Sequence, residues 1–385
     1  MPERSVAIFA GGGTGGHLYP ALVLADELVR QRPSTRPFFL GAQGGLEARL
    51  LPERKLEHCL LPVRGFQRGE LLSNIGVPCA LTRSLAVAIK LFRQLDPELV
   101  VVTGGYAGAP AGIATAMAGI PLVLQEQNAW PGATTRFLSR WATQVHVAFP
   151  ESVQHLPLLS KDSIHVSGCP IRIPQNQKYE RHDLCMKIGL DPGLKVILMV
   201  GGSQGSLALN DLMKNGIRSM TSGSLSRLEG WQLLWVTGTQ HHNSVDQALS
   251  EMGSPGRVRT VPYIEDMPSV LSIADLAISR AGAMTTAELM AWGVPSILIP
   301  LPTSAANHQE MNAQALQNSG AAIHLSQEGL TPESLWISLE ELTKDQDLLE
   351  RMRHAARARS NPEAATVIVS EIIRLLPGFN QDVRA

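Results

Sequence analysis

Three glycine-rich turns carry most of the chemistry this sequence can offer. Each follows a short apolar run. Residues 6–10 lead into Gly11-Gly12-Gly13-Thr14-Gly15-Gly16-His17, residues 196–200 into Gly201-Gly202-Ser203-Gln204-Gly205-Ser206, and residues 276–278 into Ser279-Arg280-Ala281-Gly282-Ala283. A strand, a small-residue turn and a helix start aim free N–H groups and the positive end of the helix dipole at one point, which suits an anion such as a diphosphate. Met284-Thr285-Thr286-Ala287-Glu288 opens the third helix. Glu288, placed in the first turn, accepts hydrogen bonds only when ionised and could take a hydroxyl pair such as a ribose; otherwise it merely favours the helix N-terminus. Ser203 could donate to a phosphate or cap the helix that follows. Arg172, after Gly168-Cys169-Pro170, could pair with a phosphate or stand exposed in a linker.

Two groups could move a proton. His17 closes the first glycine loop at a helix start, where the dipole disfavours an imidazolium and leaves a neutral base; its bland alternative is a hydrogen bond to the loop. Glu126 ends an apolar run beside Asn128 and is either a second base or a structural carboxylate. His241-His242 has no third ligand nearby and reads as solvated surface. Asp345-Gln346-Asp347 has the spacing of a metal-binding acid pair, but it lies in a charged helical run and reads as a solvated face. No metal site and no cofactor are expected, and no GxSxG, HExxH or P-loop lysine is present.

The elements that must hold these groups alternate strand and helix. The first loop contains a GxGxxG pattern, but the next strand, Phe38-Phe39-Leu40, runs into Gly41-Ala42-Gln43-Gly44-Gly45 without the acid that a nicotinamide dinucleotide site wants there. That weighs against an NAD-dependent oxidoreductase. Near residue 168 the order restarts, and Ala118-Gly119-Ile120-Pro121 is echoed by Trp292-Gly293-Val294-Pro295. The expected architecture is α/β: two Rossmann-like, doubly wound domains facing a cleft. Residues 1–167 form the first and 168–362 the second, with a C-terminal helix, about 363–385, packing back on the first. The charge-free run 99–125 is broken by glycines and prolines and reads as strand, turn, helix and strand, not as a membrane span.

With 385 residues, 44% hydrophobic and 17% charged, the chain has the composition of a globular protein. A net charge of −1 gives no support to nucleic-acid binding. Its four cysteines are scattered, as suits a reducing cytoplasm. Residues 60–95 are locally basic, with Leu81, Leu85, Ile89 and Phe92 at helical spacing and Arg83 and Lys90 on another face. Such a helix can rest on an anionic membrane or pack on the core with a basic outer face.

Gly11 to His17 followed by Pro20, Gly104-Gly105-Tyr106, Glu126-Gln127-Asn128, Gly201 to Gly205, and Arg280-Ala281-Gly282-Ala283 with Thr285 and Glu288 together resemble the MurG family, the bacterial UDP-N-acetylglucosamine transferases of peptidoglycan synthesis. The resemblance runs nearly end to end. It implies the GT-B fold and transfer of N-acetylglucosamine from UDP-GlcNAc to the muramyl 4-hydroxyl of lipid I, an undecaprenyl-linked acceptor, giving lipid II. It implies inversion at the anomeric carbon, no metal, and a peripheral place on the cytoplasmic face of the inner membrane. It assigns uracil to the backbone of Ile264, ribose to Glu288, and the diphosphate to Ser203, Ala283, Met284 and Thr285. Asn128, Arg172 and Gln309 contact the donor, largely its sugar. The first half holds the acceptor with Thr14, Gly15, Gly16, His17 and Tyr106, the first three counted among the UDP-GlcNAc contacts as well, and His17 or Glu126 is the base. Departures from the family's pattern are Ala107-Gly108 after the tyrosine, Gln125 before the glutamate and Ala129-Trp130 after Asn128. Alternatives on the same fold are a UDP-N-acetylglucosamine 2-epimerase or a lipid-A-type transferase; a non-catalytic UDP-sugar scaffold is a further one.

Overall fold

The computed structural model describes residues 5–65, 75–156, 161–173, 179–202, 204–253 and 255–376. The chain forms two compact units. One ends at Arg172 and is completed by the segment from Asn361 onward; the other is Ile173–Ser360.

In the first unit the order is β1 (Ser5–Gly11), α1 (Gly15–Gln31), β2 (Thr35–Ala42), α2 (Glu47–Glu53), β3 (His58–Leu61), α3 (Val77–Leu95), β4 (Leu99–Gly104), α4 (Gly105–Ala118), β5 (Leu122–Glu126), α5 (Ala133–Leu138), β6 (Gln144–Val147) and β7 (Ile164–Val166). The seven strands are ordered β3-β2-β1-β4-β5-β6-β7 and every pairing is parallel. A parallel sheet covered on both faces wants apolar residues at every position, and β4 supplies Leu99 to Val102, all essentially inaccessible to water. The charge-free run 99–125 is therefore β4, α4 and β5. Among the described residues no helix is long and apolar enough to cross a membrane.

The second unit repeats the plan. After α6 (Arg181–Ile188) come β8 (Lys195–Val200), α7 (Leu207–Thr221), β9 (Trp231–Val236), α8 (His242–Glu251), β10 (Val258–Val261), α9 (Met267–Ile273), β11 (Leu276–Ser279), α10 (Ala283–Trp292), β12 (Ser296–Leu298), α11 (His308–Asn318), β13 (Ala322–His324), α12 (Pro332–Lys344) and α13 (Gln346–Arg359). Its sheet is ordered β10-β9-β8-β11-β12-β13, the same winding as the first six strands of its companion. Both sheets thus reverse direction once, between β1 and β4 and between β8 and β11, and open α/β sheets take ligands outside the carboxyl ends of the strands at such a point.

The last helix, α14 (Ala364–Ile373), belongs to the first unit. Ile368, Val369, Ile372 and Leu376 share a core with Leu18, Leu24 and Leu28 of α1, and the Gln31 amide donates to the Thr366 carbonyl (3.3 Å). Residues 377–385 of the expected terminal helix lie outside the described ones.

Local details differ from the sequence expectation for identifiable reasons. The helix expected from about Pro20 begins at Gly15, because Thr14 is extended and two glycines enter the first turn. The charged run 340–353 is two helices, since the Asp345 carboxylate accepts from Leu348 N–H (2.8 Å) and starts α13. On α3 the apolar stripe is spent on the core: Phe92 and Ala88 are buried, with Leu85 and Ile89 packed beside them. Arg83, Lys90 and Arg93 face solvent. Arg68 and Glu70 of the same basic segment lie outside the described residues, as does Ser203.

Candidate active site

At the first switch point two strand ends and a helix start are tied together. The Gln127 amide donates to the Thr103 carbonyl (2.7 Å), joining the end of β5 to β4. The Thr103 hydroxyl donates to the His17 carbonyl (2.7 Å), joining β4 to the first turn of α1. His17 Nδ1 lies 3.3 Å from the Thr14 hydroxyl. The ring needs Gly104 and Gly105 beside it: a Cβ on Gly104 would sit 2.8 Å from His17 Cδ2, and one on Gly105 would sit 2.1 Å from the Gly12 carbonyl oxygen. Both glycines have positive φ, 104° and 74°, which side chains rarely tolerate. Tyr106 lies over Gly13, where a Cβ would come within 2.5 Å of the ring. Burial, and then the charge of Glu47, push the Tyr106 hydroxyl above its ordinary pKa.

Glu126 is buried, and both of its oxygens are engaged. Oε1 accepts from Asn128 N–H and the Asn128 side-chain amide, both at 3.1 Å, and Oε2 accepts from Gly132 N–H at 2.9 Å. Arg172 is exposed and pairs with Asp26 of α1 at 2.5 Å, a surface contact of a kind worth little.

The second switch point is organised by a buried cation. Arg280 is 7% exposed. One guanidinium nitrogen donates to the Ile299 and Pro300 carbonyls (3.1 Å each) and the other to the Ser206 hydroxyl (2.8 Å). Among the described residues no carboxylate pairs with it, and burial pulls its pKa down. Ser206 caps α7 by accepting from Leu209 N–H (3.4 Å). Gly205, just before it, is packed tightly: a Cβ there would lie 2.3 Å from the Thr237 carbonyl oxygen. Gly282 precedes α10 in an extended conformation, and Ala283, Met284 and Thr285 form the first turn of the helix. A buried guanidinium behind two helix N-termini is a field for an anion.

Because α10 opens at Ala283, Glu288 lies in its second turn and not in the first. It is pushed up to about 7 by burial. Gln309, in the first turn of α11, accepts from Leu301 N–H through its carbonyl (3.0 Å), so its NH2 is what it can offer a ligand. Asn312 donates to the Ala281 carbonyl (3.1 Å) and holds α11 against the turn before α10. Ile264 is half-buried in the loop beyond the carboxyl end of β10. His242, by contrast, is tied locally, with Nδ1 3.3 Å from the Thr237 hydroxyl. Among the described residues no group of three His, Cys, Asp or Glu side chains could hold a metal ion.

Sequence reasoning missed two groups. Arg280 was legible only as part of a small-residue turn, since nothing local says that its side chain turns inward. Glu47 was missed by two residues: the acid sought after β2 is absent from residues 41–45 but present at 47, at the start of α2. It is not placed for a ribose, because it accepts from Gly13 N–H (2.9 Å) and Ala42 N–H (2.8 Å) instead. Its signal is Gly45, two residues before it, which leaves room for a carboxylate.

Two doubly wound sheets, each with a glycine loop at its switch point, define a protein of two Rossmann-like domains, a plan that glycosyltransferases share with sugar epimerases. Residues 7–147 match the glycosyltransferase family 28 N-terminal domain and residues 196–368 the glycosyltransferase family 28 C-terminal domain. The chain is 34% identical over 371 residues to a Bacillus cereus UDP-N-acetylglucosamine--N-acetylmuramyl-(pentapeptide) pyrophosphoryl-undecaprenol N-acetylglucosamine transferase, covering 96% of this chain and 99% of that one. Its structure is similar to the crystal structure of Acinetobacter baumannii MurG, with a TM-score of 0.76 and 29% identity over 96% of this chain and 99% of that one. A UDP-N-acetylglucosamine 2-epimerase is similar in fold alone, at a TM-score of 0.64 and 14% identity, covering 96% of this chain and 95% of that one. The chain belongs to the MurG family of N-acetylglucosamine transferases.

Proposed function

We propose that this chain moves N-acetylglucosamine from UDP-GlcNAc to the muramyl 4-hydroxyl of lipid I, making lipid II. The observation that carries the reading is the unlike chemistry of the two switch points. One offers positive charge, from Arg280 and the N-termini of α7 and α10, with Glu288 nearby on α10. The other offers a histidine ring packed against two glycines. The first suits a nucleoside diphosphate and the second a hydroxyl that must lose a proton.

In the reaction the acceptor oxygen attacks C1 of the donor sugar as its proton passes to the base. The bond from C1 to the diphosphate breaks and its electron pair leaves on UDP. A single displacement inverts the anomeric centre. Arg280 and the two helix N-termini stabilise the charge that grows on the diphosphate, which is a task metal ions perform in other enzymes, and the proposal requires no metal. His17 is the base favoured by the geometry, because Glu126 already has both oxygens committed to Asn128 and Gly132. Ala283, Met284, Thr285 and Ser203 hold the diphosphate, Glu288 the ribose and Ile264 the uracil. Gln309, Asn128 and Arg172 address the donor, Arg172 by exchanging its exposed partner Asp26. Thr14, Gly15, Gly16 and Tyr106 line the acceptor side.

The undecaprenyl acceptor requires the chain to work at a membrane surface, as a peripheral protein on its cytoplasmic face. Arg83, Lys90 and Arg93 on the outer side of α3, with Val87 38% exposed between them, support this. So does Arg140, whose guanidinium stacks on Phe137 at 4.7 Å and Trp141 at 5.2 Å, both partly exposed. Aromatic and basic side chains together suit a lipid interface.

The test is UDP release from UDP-GlcNAc with a lipid I analogue in excess EDTA, for wild type, His17→Ala and Glu126→Gln. His17→Ala should lose about 100-fold or more in kcat, the scale of a general base. Strict dependence on added Mg²⁺ would reject the metal-free mechanism. Sugar products formed without acceptor would point to an epimerase.

A further inference from the structure

A second buried charge sits at the other glycine loop, and the proposed transfer does not use it. Glu47 is completely buried. Its Oε1 accepts from Gly13 N–H (2.9 Å) and Ala42 N–H (2.8 Å), and its Oε2 accepts from Gly13 N–H (3.0 Å). Among the described residues no lysine or arginine pairs with it. The space around it is cut to a carboxylate. A Cβ on Gly12 would lie 1.9 Å from Oε1, one on Gly45 2.3 Å from both oxygens, and one on Gly41 2.3 Å from Cγ. Gly12 in the loop after β1, Gly41 near the end of β2 and Gly45 just beyond it thus make its cradle. A glycine-loop N–H just ahead of a helix start, at the switch point of a doubly wound sheet, is where such folds receive a phosphate oxygen. Here the protein supplies the oxygens itself.

We propose that Glu47 is the resident anion of the first glycine loop: a positioning residue that fixes the loop beneath His17 and closes it to phosphate. The first consequence is geometric. Gly13 has φ 93°, and its N–H is held by both carboxylate oxygens. Thr14 follows directly, accepts from His17 N–H through its carbonyl (3.2 Å) and places its hydroxyl 3.3 Å from the ring. Tyr106 packs on the same glycine. Holding Gly13 therefore sets Thr14, His17 and Tyr106 together. The second consequence is electrostatic. The carboxylate fills the N–H that would receive an anion and opposes the field of the α1 N-terminus, so a phosphate meets negative charge. The two units carry opposite buried charges, Glu47 in one and Arg280 in the other. Phosphate recognition belongs to the Arg280 unit, and the acceptor is oriented on the first loop by its sugar hydroxyls and not by its diphosphate. This rests on the transferase reading.

The experiment compares full-length wild type, Glu47→Gln and Glu47→Ala. Each is measured per folded molecule for kcat and for KM of donor and acceptor, with inorganic pyrophosphate as inhibitor and with the His17 ring resonances recorded by NMR in the absence of substrates. Glutamine keeps the size of the side chain but turns an NH2 toward N–H donors. It should lower kcat by up to about 100-fold, the cost of a displaced catalytic group, shift the His17 resonances and leave the donor KM unchanged. In wild type, pyrophosphate should compete with donor only. In Glu47→Ala, which opens the cradle, it should compete with acceptor as well. A Glu47→Gln enzyme with wild-type kcat and unmoved His17 resonances overturns the proposal. So does pyrophosphate that competes with acceptor in wild type. Should Glu47→Ala not fold, the glutamine variant and the wild-type inhibition pattern decide. If wild type transfers no sugar, the transferase reading has failed, and the His17 resonances still decide whether Glu47 positions the ring.

Discussion

Replacing Glu288 by glutamine should make the free protein more stable and its grip on the donor weaker, and pH should tune both effects. Burial pushes this carboxyl up to about 7 from an ordinary value of 4.5. At about 1.4 kcal/mol per pH unit, that separates its two protonation states by roughly 3 kcal/mol. A carboxyl raised in the native state contributes stability that is fully present below 4.5 and lost as pH rises through 7. Glutamine is neutral throughout and escapes the loss. The variant should therefore unfold on the order of 5–10 °C above wild type at alkaline pH, for a unit of this size, and the gap should close in mild acid. Donor binding runs the other way. In the proposed contact the ribose hydroxyls donate to the ionised form, and hydrogen bonds to a charged group are worth about 1.5–3 kcal/mol. Wild-type affinity for UDP-GlcNAc should climb through pH 7 and level off. Glu288→Gln should be pH-independent and weaker by roughly 10–100-fold in KM at alkaline pH. The assays are thermal unfolding and initial rates over the same pH series. A glutamine variant no more stable than wild type in alkali, or a wild-type donor KM that ignores pH, would refute the reasoning.

Gly105→Ala forces a Cβ to within 2.1 Å of the Gly12 carbonyl oxygen at a φ of 74°; it should cost about 1–3 kcal/mol by strain alone, read by denaturant unfolding, with a fall in kcat as His17 moves. Arg280→Met removes the buried charge but keeps much of its length; UDP binding by calorimetry should weaken by roughly 10-fold or more, and unchanged affinity would remove Arg280 from the diphosphate field. Ending the chain at Ser360 strips four buried aliphatic residues of and after α14 from the α1 core; at about 1.5–3 kcal/mol each that rivals the whole stability of a domain, ~5–15 kcal/mol, and the product should be insoluble or lack the first unit's unfolding transition.

Much of the fold is legible in the sequence because buried parallel strands have a plain signature. Runs such as Leu99-Val100-Val101-Val102 and Val196 to Val200, each ending in glycines, leave little choice but strand, turn and helix. The winding repeated in both halves follows from the restart after Gly168. The α3 stripe was legible as helical but not in its direction: Leu85, Ile89 and Phe92 would look the same facing a core or a lipid. The candidate site was legible where chemistry is local. A glycine loop, a histidine at a helix start and a glutamate after small residues announce themselves by type and spacing.

What the sequence alone determined is thus the alternating order, the two glycine-marked switch points and the residue types beside them. Tertiary structure alone decided which charges turn inward. Glu47 reaches Gly13 across 34 positions, Arg280 reaches Ser206 across 74, and α14 returns to Gln31 across 335. It also set Glu288 near neutrality, through the bulk of neighbours from other elements. The physical reason is the same in each case. Local pattern fixes what an element is, through propensity and periodicity. A buried charge is fixed by the donors and the desolvation it meets, and those come from strand ends that adjoin only once the sheet is wound.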